Sequence, residues 1–252
     1  MQNLLWGPHA QSIEHGAITK GEYMFSNSYE LDRRVSSFMC GVYGWMSCAL
    51  AITAGVAYYV ANTPAIFTYM YTHPGVIFGL ILAQFAFIFG ITFFINRISF
   101  ITALVLFLLY AATLGITLSS IFYVYTEISI ITTFLTTAGM FGVMSLYGYV
   151  TKADLTSIGN LSFMVLIGLV IGMLINMFLK NEQFDYILSG IGVIIFTLLT
   201  AYDTQKIKQY GRSMLVEKET IGKVTLIGAL TLYLDFINLF LFLLRFMGNR
   251  RE

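Results

Sequence analysis

Charge is what this 252-residue chain has least of. Only 11% of its residues are Asp, Glu, Lys or Arg and 58% are hydrophobic, whereas a soluble domain carries about 25% charged residues. An ordinary soluble globule is thereby excluded. The 14 Lys and Arg nearly balance the 13 Asp and Glu, so no bulk charge points to nucleic acid. Cysteine is confined to Cys40 and Cys48, eight residues apart in one apolar segment; they cannot build a disulfide framework and read as packed thiols. Histidine is confined to His9 and His15 near the N-terminus and His73 in a connection, which excludes a histidine-rich membrane zinc hydrolase. The last apolar stretch has no lysine except Lys223 at its start, which excludes a retinal-type Schiff base. No enzymatic activity and no cofactor are expected. The first 35 residues lack an apolar core, so no cleavable signal peptide is expected and the first span itself serves for insertion.

Long apolar runs are what the chain has in their place. Arg97 alone interrupts the 92 residues between Arg34 and Glu127. A crossing takes about 20 residues, so this stretch suits three spans, at about 36–61, 75–95 and 99–121. Asn62 to Pro64 and His73-Pro74 mark a loop between the first two. Four more follow at about 128–150, 159–179, 184–203 and 221–245. Runs of this length cross as helices. The expected organisation is a polar cytoplasmic tail over 1–35, a seven-helix membrane domain over 36–245 and a short basic tail over 246–252, an all-α integral membrane protein.

Alternate connections fall on alternate sides. The N-terminal side collects Lys20, Arg33, Arg34, Arg97, Lys152, Lys206, Lys208, Arg212, Lys218 and Lys223; the other side has Lys180, Arg245, Arg250 and Arg251. The positive-inside rule places the N-terminus in the cytoplasm. Three of the four basic residues outside lie at the C-terminus, and a six-span arrangement with a re-entrant last segment would bring them back. The length of 221–245 favours seven.

Asp235 is the only charged residue from Val224 to Leu244. A carboxylate at mid-membrane costs about 2.5–3.5 kcal/mol on insertion scales, so intramembrane acids mark function. Gly228, Thr231, Asp235 and Asn238 recur at steps of three and four, which puts them on one face; Leu230, Leu234, Phe236 and Ile237 fall on the opposite faces. A small, polar stripe faces protein or water rather than lipid. A second acid, Asp203, closes span six and shares its face with Thr200. It reads equally as a solvated helix-end carboxylate beside Lys206. Asp203 and Arg97 belong to the same cytoplasmic side, where they could pair; Arg97 reads equally as a positive-inside anchor.

Two carboxylates close together in a low dielectric resist carrying two charges and can share a proton. With an arginine competing for one of them, such a trio is a proton-sensitive switch. Ionised carboxylates also attract cations. Ca²⁺ prefers six to eight oxygens, so two acids with Asn238, hydroxyls and carbonyls would hold it weakly, as passage requires. Depth opposes the pairing: Asp235 lies about 14 residues, roughly 21 Å, into span seven, and Asp203 lies at the edge of span six.

The chain resembles the transmembrane Bax inhibitor motif family, bacterial members in particular. The resemblance is carried by GALTLYLDFINLFLFLLR at 228–245, AYDTQKIK at 201–208, INRISFITALVLFLLYAATLGITLS at 95–119 and VYGWMSCALAITAGVAYYV at 42–60, and covers most of 30–250 in order. It implies seven helices with the last surrounded by the other six, in a bacterial inner membrane. It implies a pH-dependent Ca²⁺ leak whose sensor, an aspartate pair, falls on Asp203 and Asp235. The arginine that can engage the pair falls on Arg97, and Asn238, Thr231 and Thr200 become pore-lining candidates. The departure is the linker Thr204 to Leu234, longer than in compact bacterial members and containing RSMLVEKETIGK at 212–223.

Two other readings use the same features. Some members of such a family modulate membrane proteases or cell-death machinery, which would make the chain a non-conducting regulator with a membrane-protein partner; GLVIG at 168–172 is a GxxxG motif, for packing within the chain or between chains. Proton-coupled transport would use the same acids, but paired broken helices are missing.

Overall fold

A computed structural model describes residues 8–217 and 221–251, with side chains from Tyr29 onward except Tyr71 and 214–220. The side chains of His9, His15 and Lys20, and the whole of Lys218, lie outside the described residues. Among the described residues nine helices follow one another: α1 Pro8–Ala61, α2 Pro64–Thr72, α3 Pro74–Phe94, α4 Phe100–Leu118, α5 Ile121–Val124, α6 Glu127–Val150, α7 Thr156–Leu179, α8 Glu182–Glu217 and α9 Ile221–Met247. Among the described residues seven helical stretches are long and apolar enough to cross a membrane: 29–61, 74–94, 100–124, 127–150, 156–179, 182–213 and 221–247.

Local chemistry sets the helix ends. Pro64 and Pro74 stand at the first position of α2 and α3, where the missing N–H is not needed and φ is already set. The connection expected as a loop between spans one and two is therefore largely a short helix, α2. Ser99 and Thr126 cap α4 and α6 by accepting from the backbone N–H of Thr102 and Ser129. Lys180 ends α7 in the left-handed region, φ 51°.

Two spans are longer than hydropathy suggests. Helix α1 begins well before residue 36, and Arg34 pairs with Glu30 along it at 2.6 Å. Helix α8 does not stop at Asp203; it continues for fourteen more residues to Glu217. That extension is held by polar contacts. Gln205 accepts from Leu155 N and donates to Ala153 O, Lys208 donates to Tyr149 O, and Arg212 meets Asp32 at 3.4 Å.

Helix α9 is the axis of the bundle. Buried residues occupy 72% of its most apolar window, against 6% for α3. Helices α1, α4, α6 and α8 pack directly on α9, while α3 joins mainly through α4 and α7 through α8. The outer face of α3 is apolar, with Phe85, Phe89 and Phe93 stacked in a ladder and exposed, as a lipid-facing surface should be. Two glycines permit near backbone contact: a Cβ at Gly115 would strike the Thr53 carbonyl of α1, and one at Gly148 the Ala201 carbonyl of α8. Thr53 also ties three helices. Its hydroxyl donates to Ala111 O of α4 at 2.9 Å and meets the Tyr233 hydroxyl of α9 at 2.7 Å.

The chain ends beside the α5–α6 and α7–α8 connections. Arg251 N donates to Val124 O, Thr126 N to Asn249 O, and Asn249 N to Ser129 Oγ. Arg251 pairs with Glu127 and Arg245 with Asp185. These contacts lie near the start of α8 and the end of α9. The last helix is one unbroken 27-residue element, so the six-span arrangement with a re-entrant segment does not hold.

Candidate functional site

The site grows out of the α8–α9 hairpin. Asp203 lies fourteen residues before the end of α8 at Glu217, and Asp235 fourteen residues after the start of α9 at Ile221. In an antiparallel pair these equal arms bring the two acids to one level. The apparent mismatch in depth came from ending span six at Asp203. The long linker between the acids is not a loop: nearly all of it is helix, the two halves of the hairpin.

The carboxyl groups of Asp203 and Asp235 stand within hydrogen-bonding reach of each other. Both are buried, at 8% and 5% exposure. Asp235 Oδ2 is the one buried side-chain oxygen or nitrogen among the described residues with no hydrogen-bond partner. The atom stands at the wall of a cavity, where no N–H or hydroxyl of the chain reaches it. The pair lines a cavity of about 460 Å³ between α7, α8 and α9, with Thr231, Leu234 and Asn238 of α9, Phe196 and Leu199 of α8, and Leu166, Leu169 and Met173 of α7 among its walls.

Three members of the expected α9 stripe, Thr231, Asp235 and Asn238, thus share this cavity. Gly228 does not. It is a packing position, where a Cβ would press on Ile207 of α8 and Val42 of α1. Leu234, assigned to an opposite face, lines the cavity too. Thr231 and Asn238 spend a donor on their own helix, at Ile227 O and Leu234 O, which leaves their oxygens free to accept or coordinate. Thr200 is fully buried and donates to Phe196 O; it is not among the cavity-lining residues.

Arg97 stands apart. It is exposed on the turn between α3 and α4, and among the described residues it makes no ion pair. The cation that acts on Asp203 is Lys206, about one turn along α8, whose ammonium lies 5.3 Å from the Tyr202 ring centroid. No group of three or more His, Cys, Asp or Glu is placed to hold a metal among the described residues. Two carboxylates, an amide and a hydroxyl fall short of the six to eight oxygens that a resident Ca²⁺ takes.

Sequence reasoning also missed a hydroxyl chain beside the pair. Tyr43 of α1 meets Ser145 of α6 at 2.5 Å, and Ser145 meets Thr204 of α8 at 2.9 Å. Tyr43 and Ser145 line a larger crevice, about 690 Å³, between α1 and α6, with Phe236 among its walls. These residues are far apart in sequence, and no local pattern announces their meeting. Of the GLVIG motif, Gly172 packs against Leu188 of α8, whereas Gly168 faces open space.

Comparison with known proteins places this geometry in a wider set. Residues 35–252 match the family described as inhibitor of apoptosis-promoting Bax1. The chain is similar to the inner membrane protein YbhL of Escherichia coli K12, 50% identical over 218 residues that cover 86% of this chain and 93% of that protein. A Borreliella burgdorferi protein is 44% identical, covering 86% and 94%. A Rickettsia prowazekii protein is 40% identical, covering 90% and 95%.

Proposed function

The chain belongs to the Bax inhibitor family, and from that premise we propose that it is a pH-sensitive cation leak, favouring Ca²⁺, with Asp203 and Asp235 as its proton sensor. The observation that carries the reading is the buried, partnerless Oδ2 of Asp235 beside a second carboxyl in a cavity. An acid kept there at an energetic cost is one that the protein uses. The kinship with an inner membrane protein and the seven apolar spans make it a multi-pass protein of the bacterial inner membrane; the distribution of Lys and Arg favours a cytoplasmic N-terminus.

In low dielectric the two carboxyls share a proton while they touch. When the shared proton leaves, like charges repel and the acids separate. A second charge appears where Thr231 and Asn238 add oxygen ligands, and a passing cation is held weakly enough to leave. Arg97 belongs to the separated state in this scheme: it leaves its exposed turn to engage a freed carboxylate. No bound cofactor and no catalytic step is part of the scheme.

The test is Ca²⁺ flux in liposomes containing the purified protein, followed across the neutral pH range for wild type, Asp203→Asn, Asp235→Asn and Arg97→Ala. The reading requires a wild-type flux whose pH response disappears in both aspartate variants. Absence of wild-type flux, or a full pH response in either variant, refutes it.

The crevice between α1 and α6 favours a second reading, a regulator that accepts a partner's transmembrane helix. Its lining is mostly apolar, including Met39, Met46, Leu50 and Phe134. A flux-dead Asp235→Asn protein that still regulated a membrane protease would support it.

A further inference from the structure

On α9 the wall of the acid-pair cavity nearest the C-terminus is Phe242. Phe242 is buried, at 7% exposure, and lines the cavity. It stands seven residues beyond Asp235, roughly 10 Å along α9. Its ring stacks on Phe196 of α8, centroids 5.6 Å apart. It also lies flat against the backbone of α8 at Gly192, where any Cβ would enter the ring. On the side away from the acids, the Arg245 guanidinium lies 5.8 Å from the Phe242 centroid. Arg245 in turn pairs with Asp185 at 3.5 Å.

Asp185 and Arg245 belong to a second recess, about 430 Å³, at the end of the molecule that carries the C-terminus, with Asn176, Lys180 and Glu182 among its walls. The acid cavity, mostly apolar apart from Asp203, Thr231, Asp235 and Asn238, and the polar recess therefore follow one another along the α7–α8–α9 seam. Between them on α8 and α9 Phe242 rests on Gly192, followed by Phe246 over Gly190 at the recess wall, and on the α7 side Leu188 rests on Gly172. A narrow apolar constriction excludes water and with it any hydrated ion. A guanidinium over a ring adds attraction that holds the ring in place.

We propose that Phe242 is the gate between the acid cavity and the recess at the C-terminal end, and that the Arg245–Asp185 pair is its latch. Glycine at 192 is what allows the ring to lie flat and seal. The inference rests on the cation-leak reading for what passes, and on the packing alone for where the barrier is.

The test measures water access separately from flux. In a protein carrying Cys40→Ser and Cys48→Ser, Asn238→Cys puts a reporter thiol in the acid cavity and Glu182→Cys puts one in the recess. A membrane-impermeant cationic methanethiosulfonate is added to liposomes from the side of the C-terminus. The Glu182→Cys thiol reacts equally in all backgrounds. The Asn238→Cys thiol reacts slowly behind Phe242 and about tenfold faster with Phe242→Ala, the change produced by lowering a barrier by about 1.4 kcal/mol. Phe242→Leu, which keeps most of the apolar volume and guards against a misfolded alanine variant, gives a smaller increase. Asp185→Asn gives an increase without altering the ring. If both Phe242 variants are monodisperse and neither speeds the reaction, the gate is refuted, even where wild-type Ca²⁺ flux is present. If the reaction accelerates in a protein that passes no Ca²⁺, the gate stands and the cation reading falls.

Discussion

Tyr233 and Thr53 meet hydroxyl to hydroxyl at 2.7 Å in the centre of the bundle. Thr53 has two backbone carbonyls within reach of its one proton, Ala49 O at 3.0 Å and Ala111 O at 2.9 Å, and a proton given to either leaves Thr53 Oγ1 to accept from Tyr233. Tyr233 is wholly buried and is flanked edge-on by Phe107 and Tyr110. The axis helix is thus pinned to α1 and α4 through Tyr233.

The two partners of that bond respond differently to removal. Tyr233→Phe deletes a donor and leaves Thr53 bonded to a backbone carbonyl, a loss of about 0.5–1.5 kcal/mol. Thr53→Val strands the phenolic hydroxyl of Tyr233 in an apolar core, about 1–3 kcal/mol. Thermal unfolding in detergent should rank Thr53→Val below Tyr233→Phe, with the double variant better than the sum of the two. Equal effects, or the reverse order, would contradict the assignment of donor and acceptor.

Glycine to alanine should change sign with position in α6. At Gly139, where a Cβ meets open space, alanine gains up to about 1 kcal/mol of helix propensity. At Gly148 the same methyl group falls on the Ala201 carbonyl, and forcing α6 from α8 costs about 1–3 kcal/mol. Melting temperatures of the two single variants decide it: both moving the same way would mean that α6 and α8 do not approach as described.

Asp235→Asn should make the fold more stable while it removes the pH response. The amide replaces a buried acid whose Oδ2 is unpartnered and supplies a donor to Asp203, relieving a cost kept for function. The readout is a raised midpoint of thermal unfolding at neutral pH together with flat Ca²⁺ flux across it. A lowered midpoint would show that the carboxyl pair is structural glue.

A separate titration sits in the α6–α7 connection. Thr156 donates to Asp154 Oδ1 from both N and Oγ1, and these bonds hold the fully exposed Asp154 carboxyl below its usual value of 3.8. The sign follows from that depression: the contact stabilises the start of α7 above the unfolded value and is lost as pH falls through the folded one. The protection factor of the Thr156 amide should drop on acidification below the usual carboxylate range and be low at every pH in Asp154→Ala. A pH-independent protection factor in the native protein would refute the contact.

Much of this was legible from composition. Seven long apolar runs, five of them without any charge, read as helices in a bilayer, and a lone acid deep in the last run marks the place where function concentrates. The limits of α8 were not legible, because hydropathy falls at Thr204 to Gln209 while helix propensity does not. Lys206, Lys208 and Arg212 end the apolar run but continue the helix. That one boundary hid the equal arms and made the acids look misplaced. Gly228 and Leu234 exchanged roles for a similar reason. A wheel gives the faces of an isolated helix, whereas α9 is surrounded by four neighbours and has several faces toward protein. Arg97 shares a side of the membrane with Asp203, but sequence says nothing about which way around the bundle it stands.

The equal arms of the hairpin impose a rule on length. Residues added to α8 between Asp203 and Glu217 must be matched by residues added to α9 between Ile221 and Asp235. Adding them to one arm alone moves its acid to another level and rotates it away by about 100° for each residue. The sequence separation of the two acids is therefore adjustable only in balanced increments that restore the facing, about seven residues, or two turns, in each arm. The hairpin can project farther from the membrane, or less far, without disturbing the contact between its two carboxyls.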